Sequence, residues 1–133
     1  MRDDLWLRDR LDKIWETLFG DVEKLNCVVI RFKGRYRNKF GHIKRLKNGD
    51  SEIIVNGMFR DERIPEFIID LTLAHELIHY MHGFNSPHKK LFKYPHQNRI
   101  VENELRKRGF YYLKKLEKKW IKEDWLDYLK RNF

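Results

Sequence analysis

The stretch from Pro65 to Gly83 constrains this chain more than any other. Phe67, Ile68, Leu71, Ala74, Leu77, Ile78 and Met81 recur at intervals of mostly three and four, which predicts a helix with an apolar face. Pro65 suits a first helical position, where a missing N–H costs nothing, and Gly83 suits the stop. A helix this apolar must be covered, and its flanks supply the cover. Leu7, Leu11, Ile14, Trp15 and Leu18 give the segment 4–19 helical spacing ahead of Gly20. Cys27 to Phe32 is a short β-branched run. Lys39 to Leu46 and Glu52 to Val55 flank Lys47-Asn48-Gly49-Asp50, whose Asn-Gly pair favours a tight hairpin turn. The expectation is three strands, the last two paired, in a small antiparallel sheet packed on the central helix. Beyond it, Ser86 can cap a second helical start that Pro95 interrupts, and Gln97 to Arg108 resumes as helix up to Gly109. Leu113, Leu116, Trp120, Ile121, Trp125 and Leu129 mark a last amphipathic helix.

The fold class read from this order is α+β. With 133 residues, enough for one modest core, we expect a single domain over 1–133, an N-terminal helix within 1–20 and a basic helical extension over 110–133. Hydrophobic residues at 41% and aromatics at 14% exclude a disordered chain. Cys27 is the only cysteine, so an intrachain disulfide and a cysteine-based zinc site are both excluded. No apolar stretch reaches the roughly 20 residues of a bilayer span. The N-terminal residues alternate charge with apolar groups instead of forming a secretory signal, so the cytoplasm is the expected location.

The net charge of +9 is uneven: residues 21–50 carry nine basic against three acidic groups and residues 88–133 carry 14 against six, around an acidic middle. Such a surface attracts nucleic acid or an acidic protein through nonspecific electrostatics, and a solvated lysine-rich face is the plain alternative. Trp120 and Trp125 sit at helical spacing among Leu116, Ile121 and Leu129, which points to packing before base stacking.

The central helix also carries His75-Glu76-Leu77-Ile78-His79. Histidines four apart project from one helix face, close enough to hold a single Zn2+. Glu76 is rotated by about 100° from His75, so its carboxylate can sit beside a metal and take a proton from water. His75 and His79 are thus candidate metal ligands, and Glu76 is the candidate general base of a zinc-dependent hydrolase. The alternative is a nucleic-acid-binding module with a structural or vestigial zinc site, which has no use for the intervening carboxylate. His82, His88, His96, Glu102 and Glu104 all follow the motif and compete for the third ligand position. His42 reads as a sheet residue. Tyr94, His96, Tyr111 and Tyr112 are candidate donors to a developing oxyanion.

Lys39-Phe40-Gly41-His42, Glu52 to Asn56, Pro65 to His79 and Ser86-Pro87-His88-Lys89-Lys90-Leu91-Phe92 together resemble the SprT-like group of zincin metallopeptidases. The resemblance covers about residues 26 to 93 and is carried most by HELIH and PHKKLF. It implies a zincin-like fold, Zn2+ as cofactor, a protein or peptide substrate, and His88 as the third ligand from an H-x-x-x-F segment. It also implies that Ile53 to Asn56 aligns an extended substrate as a sheet edge, and that the chain works near nucleic acid. A second resemblance, to minigluzincins, implies instead a ligand from Glu102 or Glu104 and a terminal segment, residues 110–133, that covers the cleft.

Overall fold

In the computed structural model, which describes residues 1–133, the first helix, α1 (Asp4–Leu18), begins where the Asp3 side chain accepts a hydrogen bond from Trp6 N. Its Leu7, Leu11, Ile14 and Trp15 turn inward, as their spacing predicts. Three strands follow, β1 (Val28–Lys33), β2 (Gly41–Arg45) and β3 (Ser51–Asn56), and then the central helix α2 (Glu66–Met81), with Pro65 as its N-cap. The chain ends in α3 (Ile100–Lys107) and a long rod made of α4 (Tyr111–Trp120), a π-helical turn at Ile121–Trp125 and α5 (Leu126–Asn132).

The molecule is α+β with an open sheet, but the sheet is mixed and not antiparallel as expected. The spatial order is β1-β3-β2, with β2 antiparallel to β3 around the Asn48-Gly49 turn and β1 parallel to β3 in the register Val28↔Ser51 to Lys33↔Asn56. Parallel pairing needs a crossover and not a hairpin, and here the β2 hairpin arm supplies it. β3 is therefore central, and its six residues are all buried.

The two faces of the sheet differ. Val28, Ile30 and Phe32 of β1 alternate inward with Ile53 and Val55 of β3 and Ile43 of β2, against α1 and α2. On the outer face Glu52 is held between Arg31 (3.2 Å) and Lys44 (3.3 Å), one from each neighbouring strand. Ile54 on the same face is buried, and Arg31 beside it and Lys44 stay partly exposed, as long cationic side chains do over apolar surface.

The C-terminal rod is fixed to the end of the sheet by aromatic rings. Phe40 meets Phe59, Trp120 and Trp125 edge-on at 5.1, 6.1 and 5.5 Å, and Trp125 stacks between Trp120 and Tyr128. Trp125 Nε1 donates to Arg37 O at 3.0 Å. Both tryptophans are thus core residues, as their spacing predicts. The segment from Ser86 to Pro95 forms no helix; it is an irregular loop after the reversal at Gly83 (φ 84°), although Ser86 Oγ, which donates to Tyr80 O, also accepts from His88 N at 3.3 Å in the manner of a cap. No helix is long and apolar enough to cross a membrane.

Candidate metal centre

α2 is apolar on nearly every side, so it is buried among β2, β3, α1 and α3, and only one strip of it reaches solvent. His75 lies on that strip, and His79, one turn further along the same face, is buried. Their Nε2 atoms are 3.0 Å apart, and a third imidazole completes the group: His96 Nε2 lies 3.2 Å from His75 Nε2 and 3.1 Å from His79 Nε2. These three residues form the cluster in this protein able to hold a metal ion.

The donor triangle fits tetrahedral zinc. Zn–N bonds of about 2.0–2.1 Å put two nitrogens of a tetrahedron about 3.3 Å apart. The edges here fall within a few tenths of an ångström of that. Three imidazole nitrogens converging so closely repel one another unless a cation or proton lies between them, since a neutral ring carries only one N–H. Burial drives the His75 pKa down to about 3, helped by its neighbours His79, His96 and Lys114, and that of His79 down to about 4. At neutral pH both rings are uncharged and ready to ligate. His79 Nδ1 is buried without a hydrogen-bond partner, so this ring lacks the acceptor that usually orients a metal-bound histidine from behind.

The third imidazole of the cluster is His96, one of the competing candidates, and not the His88 that the resemblance implied. His88 is not at the cluster: its Nε2 bonds Glu23 O at 2.6 Å and its ring lies edge-on to Tyr80 at 5.2 Å, round the helix from His79. The turn after α2 sends it there. Gly83 at positive φ passes so close to His88 O and Lys89 O that any Cβ would lie about 2.6 Å from them. His96 is returned to α2 by a later turn, where Tyr94 N donates to Gln97 Oε1 and Asn98 and Arg99 take left-handed φ of 48° and 55°. The remaining candidates are engaged elsewhere. Glu102 pairs with Arg99, Glu104 with Arg108, and His82 is buried against Phe92. His42 lies in β2 with Tyr36 edge-on at 6.5 Å.

Glu76 opens on a cleft of about 460 Å³ between α2, the segment Arg37–Gly41 and the C-terminal rod. His75, Leu71 and Thr72 line it from α2, and Lys114, Glu117, Ile121, Trp125 and Leu126 from the rod. The rod is a wall of this cleft. The Glu76 carboxyl is 3% exposed, and burial pushes its pKa up to about 8 against the opposing pull of Lys39. A carboxyl so placed is a strong proton acceptor when ionised. Neither Tyr94, Tyr111 nor Tyr112 lines the cleft; all three are exposed, and Tyr111 lies between Arg106 and Lys115.

The sheet edge at this cleft is β2, which also corrects the expectation for Ile53 to Asn56: those residues are paired on both sides. Asn56 N donates to Phe40 O and Leu46 N to Asp50 O, both at 2.8 Å, so even-numbered residues of β2 face β3. Gly41, Ile43 and Arg45 turn their backbone groups outward, and Asn85 Nδ2 occupies Ile43 O at 3.1 Å. Gly41 is the outward group at the cleft. It must be glycine, because a Cβ would meet Thr72 Cγ2 at 2.7 Å and Ile54 O at 2.9 Å.

No family model, curated protein or solved structure matches this chain.

Proposed function

We propose that this protein is a zinc-dependent metallopeptidase that hydrolyses peptide bonds, with His75, His79 and His96 as metal ligands and Glu76 as general base. The observation that carries the reading is the convergence of three imidazole Nε2 atoms within 3.2 Å of one another beside a cleft that contains Glu76. Three donors, one of them the exposed His96, suit catalytic zinc, which keeps a position open; structural sites are closed by four. Zinc held there supplies a Lewis acid that polarises a peptide carbonyl and acidifies water. Glu76 accepts the proton of the attacking water and passes it to the leaving amine. Gly41 offers backbone N–H and C=O groups to an extended substrate, which would add as a strand outside β2. The SprT-like resemblance stays part of this proposal through HELIH and the strand-then-helix order, with His96 standing in the ligand role that the resemblance implied for His88.

The test combines metal content with cleavage. Purified protein should hold about one zinc, and His75→Ala, His79→Ala or His96→Ala should each lose it. Glu76→Gln should keep zinc and the fold while cleavage of an unfolded protein substrate falls at least about 100-fold, the usual scale for a lost general base. A wild-type protein that takes up no zinc at neutral pH would sink the reading.

A further inference from the structure

Charge around the cleft is lopsided. Arg37 and Lys39 stand exposed on the segment leading into β2, and their charged heads rest on rings, Arg37 over Phe133 at 5.0 Å and Lys39 over Tyr36 at 5.5 Å, with no carboxylate partner. On the opposite wall Lys114 Nζ donates to Glu117 Oε1 at 2.8 Å. An ammonium has three N–H donors, so Glu117 fixes its position and leaves two free. Lys114 also lines a smaller cavity next door with His75 and His96, which puts it between the cleft and the histidine cluster. Between the basic walls the surface is apolar, from Phe40, Leu71, Leu105, Ile121 and Trp125.

We propose, resting on the peptidase reading, that the cleft selects acidic peptides: a segment with a large apolar residue flanked by side-chain carboxylates, the apolar group lying against Phe40, Ile121 and Leu126 and the carboxylates meeting Arg37 and Lys39 on one wall and Lys114 on the other. Opposed positive walls around an apolar floor match that alternation. A nucleic acid fits less well, because its continuous phosphate chain would have to cross the apolar floor of the cleft, where a charge goes unpaired.

The experiment reads binding apart from cleavage. Acetyl-Ala-Glu-Leu-Glu-Ala-amide, its Gln-for-Glu and Lys-for-Glu counterparts, and the Gln peptide with a free C-terminus are titrated by calorimetry at low salt. The titrations use metal-free wild type and zinc-loaded Glu76→Gln. The Glu peptide should bind about tenfold tighter than the Gln amide, and the free C-terminus should add less than twofold. Arg37→Glu/Lys39→Glu should reverse the preference toward the Lys peptide. Lys114→Gln/Glu117→Gln, which leaves no unpaired charge in the wall, should cut the Glu preference at least threefold with an unchanged circular dichroism spectrum. The inference is overturned if the three amides bind alike, if none binds, if the preference survives both double variants, if only the free C-terminus gains, or if oligothymidylate displaces the Glu peptide at lower concentration than the peptide itself needs. The peptidase reading fails separately: zinc-loaded wild type that cleaves none of the peptides while the binding preference stands refutes the chemistry and leaves the acidic selectivity in place.

Discussion

His88 and His96 are eight residues apart in one loop, and what their rings meet separates them. His96 meets two other imidazoles; His88 meets a backbone carbonyl of the segment after α1. His88→Ala should therefore keep zinc and lower stability by about 1 kcal/mol, the usual worth of one such hydrogen bond, as read from a denaturant midpoint. The motif pair was legible in the sequence because helical geometry alone sets the distance from residue 75 to 79. The third imidazole of the cluster was not, because its place depends on a loop path set by Gly83, Asn98 and Arg99, where no period operates. The same residues predict a pH profile for the metal-free protein. His75 and His79, near 3 and 4 when folded against 6.5 unfolded, contribute stability that is complete above 6.5 and lost as pH falls below it. Glu76, near 8 folded against 4.5 unfolded, works the other way, and its penalty grows as pH rises from 4.5 to 8. Thermal midpoints should thus peak near pH 6.5, and Glu76→Gln should remove the decline on the alkaline side. A profile for Glu76→Gln that still falls between pH 6.5 and 8 would contradict the assignment.

At the scale of elements, the narrowest fit is β2 against α2. Gly41→Ala would push a methyl into Thr72 and the Ile54 carbonyl, neither of which can swing away, so we expect a loss of about 1–3 kcal/mol. Cleavage should fall further than folding does, because the edge at the cleft moves with β2; equal losses in both would argue that Gly41 acts on the fold alone. The C-terminal rod offers a second test. Trp125 is 2% exposed and sits in a five-ring cluster, so Trp125→Ala should cost about 3–5 kcal/mol in a denaturant melt. The strands, hairpin and rod were all visible as patterns in the sequence. The partner of β1 was not, since a parallel pair leaves no turn signal between its strands, and no helix follows Ser86 although its hydroxyl accepts from His88 N, because a cap bond alone does not carry the first turn.

Across the whole molecule, three arginines bind elements that the core alone would leave loosely docked. Arg10 holds Asp70 through two bonds of 2.6 and 2.7 Å, tying α1 to α2. Arg2 is buried and donates to Phe59 O, Asp61 O and Ile64 O, just ahead of α2. Arg108 joins Leu18 O and Asp21 to Glu104, closing α3 onto the end of α1. Arg108→Met should cost about 2–3 kcal/mol, since it strands the half-buried Glu104, and Arg108→Met/Glu104→Gln should recover much of that; no recovery in the double variant would show that packing and not charge is the cause. The strand order has a consequence in time. β1 and β2 leave the ribosome first, yet neither pairs with the other, and both depend on β3 as their common neighbour. A nascent chain that stops short of Ser51 therefore carries two unpaired strands and no sheet. Ser51–Asn56 is the last of the three strands to arrive and the one that joins the other two, so a translational pause before it emerges would lengthen exposure to aggregation.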